Sequence, residues 1–157
     1  MTAGVPPGLS RETSIRRSAD GQWFHDGMPI RHPGIQKAFD AWIGRALDGR
    51  YVLENDVNWA YIEIEGAPVR VERVRIEDDS PLLELSDERT EPLHAETLRQ
   101  DADGFLYCDV RDGGLTAKFT RQALFDLEPL LAEDKRGIFL RVGGREVVPP
   151  VEPDPVR

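Results

Sequence analysis

Turn signals recur through this chain at short intervals and leave little room for long elements. Asp-Gly pairs stand at 26–27, 48–49, 103–104 and 112–113, and Gly-Gly at 143–144. Glycine accepts the positive φ that tight turns need, and aspartate bonds nearby backbone. Segments between such turns can hold only short strands and one or two helices. A shift of 86 residues brings the punctuation onto itself. Asp26, Gly27, Phe39, Ala46, Asp48 and Arg50 then meet Asp112, Gly113, Phe125, Ala132, Asp134 and Arg136. Six identities in 25 positions exceed chance composition and suggest a duplicated unit of strand, turn, strand, helix, turn and strand.

The segments between the turns fit an α+β fold: two halves, 20–79 and 80–149, each with one helix on a small, mostly antiparallel sheet. A helix is expected over 33–47, where Ile35, Phe39, Trp42, Ile43 and Ala46 make one apolar stripe and Pro33 suits the first turn. This stripe is expected to be core. A second helix is expected over 120–135, with Thr120 as N-cap, Leu124, Leu127 and Leu131 as its stripe, and Pro129 kinking it or ending its regular part. Strands are expected at 51–55, 59–65 and 68–77. In the last, Val69 and Val71 share a face, as do Val74 and Ile76, but the phase slips between the pairs, which calls for a β-bulge near Glu72-Arg73. "IFLRV-GG-REVV" reads as a hairpin. Residues 1–19 read as a flexible arm and the last eight, 150–157, as a proline-rich tail with no ladder to join.

The 157 residues carry a net charge of −9, unsuited to non-specific nucleic acid binding, which depends on Lys and Arg releasing counterions. The stretch 77–103 holds ten acidic residues and reads as solvated turns around the strands "LLELS" and "LHAE". No run approaches the ~20 apolar residues of a membrane span, and no signal-peptide pattern opens the chain, so a cytoplasmic protein is expected. The single cysteine, Cys108, alternates with Leu106 and Val110 on one strand face and reads as a buried thiol.

His25 and His32 flank the first Asp-Gly turn. Asp112-Gly113 repeats that turn with no histidine, so both read as structural or surface residues, with ligand contact as the alternative. The histidines and the cysteine lack a metal-ligand spacing, and no cofactor fingerprint occurs; neither metal nor cofactor is expected. Arg111, Lys118 and Arg121 gather within eleven residues of an acidic half, near the second helix start, and are the candidate anion site. Their alternative is pairing with Asp109, Asp112 or Asp126. In "LTAKF" Lys118 falls on the face opposite Leu115, Ala117 and Phe119, so it should be accessible. Glu63 and Glu65 share a strand face, and only they hint at hydrolytic carboxylate chemistry.

"GQWFHDGMPI", "DGRYVLEN", "YIEIEGAPV" and "RDGGLTAKFTRQALFDL" resemble the bacterial domain of unknown function 1285 family over about residues 20–149. The resemblance implies a duplicated core, a second half like a pleckstrin-homology fold, and a non-catalytic ligand-binding or regulatory module. It also implies a groove between the halves for a nucleotide-like ligand, and a signalling role. The sequence departs from the family at Asn58-Trp59, Gly66 and His32. A protein-interaction domain using the acidic 77–103 segment with Trp59 or Tyr61 is the other reading.

Overall fold

In the computed structural model, which describes residues 10–78 and 80–157, Asp26 and Gly27 take φ of 52° and 77°. That is the tight hairpin turn whose twist matches its strands. It joins β2 (Trp23–His25) to β3 (Met28–Pro29). The first compact unit, Met1–Pro68, also holds β1 (Ile15–Arg17), α1 (Pro33–Trp42), β4 (Ile43–Arg45), β5 (Tyr51–Glu54), β6 (Trp59–Tyr61) and β7 (Glu63–Ile64). One sheet runs β3-β2-β1-β7, with β7 parallel to β1; the other is the antiparallel meander β4-β5-β6. Trp23, Ile43, Val52, Leu53 and Ile62 form the core.

The first expected helix is shorter than its stripe. α1 stops at Trp42, and Ile43 turns extended, at ψ 133°, to pair with Leu53. Ile43 and Ala46 are buried from a strand and its following loop, while Ile35 is 42% exposed and Phe39 and Trp42 are half-buried. The buried residue of α1 is Asp40, whose Oδ1 accepts the Trp23 Nε1 hydrogen at 3.0 Å and lies 3.6 Å from Arg17 Nε. Arg17 overturns part of the flexible-arm expectation. It sits on β1, inside the sheet, 1% exposed. Residues 1–9 of that arm lie outside the described residues.

The second unit, Val69–Arg157, contains β8 (Val69–Glu77), β9 (Ser80–Leu85), β10 (Thr90–Pro92), β11 (Arg99–Gln100), β12 (Leu106–Val110) and β13 (Leu115–Phe119). α2 (Arg121–Asp126), β14 (Leu131–Asp134), β15 (Gly137–Val142) and β16 (Arg145–Val147) follow. The large sheet runs β10-β9-β8-β13-β12-β11 and the small one β14-β15-β16. The expected bulge is present: the β8–β9 register shifts between Val71 and Arg73. Gly143 and Gly144, at φ 55° and 78°, close the expected hairpin.

Four expectations change. A boundary at 79/80 would divide β8 from β9, which pair from Val71↔Leu85 to Glu77↔Ser80, so the compact units divide at 68/69. The helix from Thr120 ends at Asp126; Glu128–Leu130, with Pro129 at its centre, is a single 3-10 turn, and 131–134 is a strand. "LHAE" is no strand, since Pro92 ends β10 and Ala95–Thr97 is a 3-10 turn. The proline-rich tail joins the sheet. Gln100 N–H donates to Pro150 O and Glu152 N–H to Gln100 O, each at 2.8 Å, and Val151 bridges Gln100 in parallel. Proline lacks a donor but keeps its carbonyl, so alternating prolines can still accept.

The two units list their elements in the same order. β1-β2-β3, α1, the meander β4-β5-β6 and the return strand β7 match β11-β12-β13, α2, the meander β14-β15-β16 and the tail. Residues 59–61 of β6, moved by 86, fall on 145–147 of β16. In each unit the return segment runs parallel to the strand that carries a buried arginine, and that arginine donates to a returning carbonyl. Arg17 Nη1 reaches Ala67 O at 2.9 Å, and Arg99 Nε reaches Pro155 O at 2.7 Å. β8, β9 and β10 have no counterpart among the described residues of the first unit.

Candidate functional site

Alternation gives the large sheet two unlike faces. Val69, Val71, Cys108, Ala117 and Phe119 lie on one and are fully buried or nearly so. The opposite face carries a row across four strands, because the registers align Arg70 with Lys118, Lys118 with Tyr107 and Tyr107 with Arg99. At ~4.8 Å between strands the row is about 14 Å long.

The two ends of this row differ. Arg99 is 1% exposed and closed in: Asp109 lies 2.8 Å away, and Thr116 Oγ1, Thr97 O and Pro155 O accept its hydrogens at 3.1, 2.9 and 2.7 Å. At the other end, Arg70 and Lys118 stand side by side on neighbouring strands. Like charges so placed repel. Glu72, 3.4 Å from Arg70 Nη2, offsets part of this. Lys118 Nζ lies 4.4 Å from the Phe105 ring centroid and 5.7 Å from that of Tyr107. Burial, then the hydrogen bond to Asp101 at 3.0 Å, pushes the Tyr107 phenol up to about 12, so it remains a neutral donor. Lys118 beside the half-buried Phe105, with Arg70 on the next strand, offers positive charge and one ring face to an anion carrying a flat group.

Lys118 lies on the polar strand face and is half-buried, where full accessibility was expected. Arg111 is not gathered with it. Arg111 takes φ 52° in the β12–β13 loop and directs Nε and Nη2 to Asp87 at 2.8 and 2.7 Å; the Asp87 carboxylate is completely buried. Of the aspartates the sequence suggested, Asp109 takes Arg99 and Asp126 takes Arg73. Arg121 opens α2, exposed, beyond the far end of β13. The five residues of that strand put roughly 17 Å between the Arg111 loop and Arg121. Asp87 also shows that 77–103 is not simply a solvated segment.

His25 is exposed at the end of β2, with Nε2 3.7 Å from Asp26. His32 is the N-cap of α1; its Nδ1 accepts the Gly34 and Ile35 amides at 3.0 and 3.3 Å. A Cβ on Gly34 would come 2.9 Å from the His32 ring, so the glycine makes room for this cap. Among the described residues no cluster of three or more His, Cys, Asp or Glu could hold a metal ion. Glu65 of the carboxylate pair lies 2.9 Å from Arg16. Trp59 and Tyr61 are covered by Arg11 and Arg50, 4.6 and 3.7 Å from their ring centroids. Cys108 is wholly buried, and burial raises its thiol to about 12.

Sequence reasoning missed Arg70, Phe105 and Tyr107. A signal for Arg70 was present, since alternation with Val69 and Val71 turns it to the polar face. Its neighbour Lys118 lies 48 positions away and is set by strand register.

No family model matches the sequence, and no curated protein matches it. Solved structures do. A DUF1285 family protein from Silicibacter pomeroyi DSS-3 is similar at a TM-score of 0.67 and 21% identity, over 86% of this chain and 78% of that one. A DUF1285 family protein from Shewanella baltica OS155 is similar at 0.58 and 18%, over 76% of this chain and 94% of that one. No helix among the described residues is long and apolar enough to cross a membrane.

Proposed function

We propose that this chain, which has the fold of the DUF1285 proteins, is a non-catalytic regulatory module that binds a nucleotide-like anion. The observation that carries this reading is Lys118 beside Phe105 and Tyr107, with Arg70 aligned to it on the neighbouring strand. A phosphate or carboxylate between the two cations would relieve their repulsion. A base or other flat group would stack on the half-buried Phe105. The signalling role and cytoplasmic setting belong to this proposal. So does descent of the two units from one duplicated ancestor, which their common element order and paired buried arginines favour.

A thermal-shift series with ATP, GTP, ADP and cyclic mononucleotides tests it. A ligand held only by the folded state adds about 2.7 kcal/mol at a hundred times its Kd. We expect wild type and Arg121→Ala to be stabilised alike, and Arg70→Ala with Lys118→Ala to lose the shift. Equal shifts in all three proteins, or none in any, would refute the reading.

A further inference from the structure

The second unit also holds an apolar cavity of about 300 Å³. Leu106, Leu124, Leu127, Leu131, Ile138 and Leu140 line it, and none of the row residues does. Its volume stands at the lower end of the roughly 300–1,000 Å³ of small-molecule sites. Packing leaves it unfilled. Leu106 shares a strand face with Cys108 and Val110, which are wholly buried, yet Leu106 itself is only half-buried, with the cavity against it. Leu124 of α2 is half-buried as well, and at the mouth Leu131 is 46% exposed and Ile138 65%.

One polar side chain enters this wall. Gln100 lies opposite Leu106 in the β11–β12 register, so the two share the core face of the sheet. Only one end of its amide is used within the chain. Nε2 donates to Pro149 O at 2.8 Å, and Pro149 also lines the cavity. Oε1 accepts no hydrogen from any described residue. Among the described residues no charged side chain lines the cavity.

One acceptor on an apolar wall selects the occupant. A charged molecule would lose its hydration with nothing to pair it. A purely apolar one would cover the Gln100 oxygen and leave it without a donor, which forfeits a hydrogen bond. A molecule with one N–H or O–H buries its apolar surface and satisfies that oxygen. We propose that this cavity binds a compact, uncharged, largely apolar small molecule that donates one hydrogen bond to Gln100 Oε1. The proposal does not rest on the anion-binding reading, because the row of Arg70, Lys118, Tyr107 and Arg99 occupies the opposite face of the sheet.

The probe is indole, titrated into the full chain and followed by calorimetry and by methyl chemical shifts. 1-Methylindole, which keeps the rings but has no donor, and indole-3-acetate, which adds a charge, serve as counter-probes. We expect saturable one-to-one binding of indole, with shifts at Leu106, Leu124, Leu127 and Leu140. 1-Methylindole should bind about fivefold more weakly, the worth of one hydrogen bond, and indole-3-acetate not measurably. Gln100→Met removes the acceptor at similar side-chain length and should bring the two neutral indoles to equal affinity. Ile138→Trp, at an exposed position, covers the mouth and should abolish binding, whereas Arg70→Ala with Lys118→Ala should leave it unchanged. Should Gln100→Met not fold, the two neutral indoles on wild type decide: a preference for indole supports the site, and equal affinity overturns it. Absence of saturable indole binding, shifts confined to residues outside the cavity, or equal binding of indole-3-acetate overturns it too. Concentration-dependent dimerisation in sedimentation, without indole binding, would give the mouth to a second copy and overturn the proposal as well.

Discussion

Asp126 ties α2 to the bulged strand β8. Its carboxylate accepts Arg73 Nε at 2.8 Å, the Val74 amide at 2.9 Å and Gln122 Nε2 at 3.1 Å. The Arg73 hydrogen bond is the largest of the effects that hold it down to about 2. An unfolded aspartate titrates near 3.9, so the folded pKa is the lower one. The stabilisation is therefore complete above about pH 5 and is lost as pH falls toward 2. Urea midpoints measured from pH 6 to pH 2 should show Asp126→Asn less stable than wild type at neutral pH and converging with it near the bottom of that range. A constant gap down to pH 2 would contradict this. Arg73 is 58% exposed, so salt should narrow the gap, although the Val74 contact should survive it.

α1 shows at the level of an element how a periodic stripe can mislead. Ile35, Phe39, Trp42, Ile43 and Ala46 keep helical spacing, but only the first three are helical. The β-branched Ile43 gains more by pairing with Leu53 than by extending a helix toward Gly44. Phe39 packs edge-on against Trp23, with ring centroids 5.3 Å apart, and remains half-buried. Phe39→Ala should thus cost about 1.5–3 kcal/mol, less than the ~3–5 kcal/mol of a fully buried phenylalanine. Chemical denaturation would show it. A loss above about 4 kcal/mol would place Phe39 in the core after all. α2 was cut short for a different reason: Pro129 cannot donate inside a helix, and Leu131–Asp134 pairs with β15 instead.

At the scale of the whole molecule, β8 lies in the interior of the second sheet, between β9 and β13. A fragment 69–157 should therefore retain cooperative unfolding, whereas 80–157, which lacks β8, should not. Far-UV circular dichroism with thermal melts distinguishes them, and equal cooperativity would contradict the division at 68/69. The sequence alone determined what short-range rules govern: the Asp-Gly and Gly-Gly turns, the Thr120 cap, the bulge after Val71, and the assignment of Lys118 to a polar strand face. Those depend on φ/ψ preference and side-chain alternation within a few residues. Tertiary structure decided the rest. Asp87, 24 residues before Arg111, claimed that arginine; the tail found an edge at Gln100; and strand register set Arg70 beside Lys118. Each of these is a pairing between distant segments, fixed by which strands neighbour one another, and no local preference encodes it.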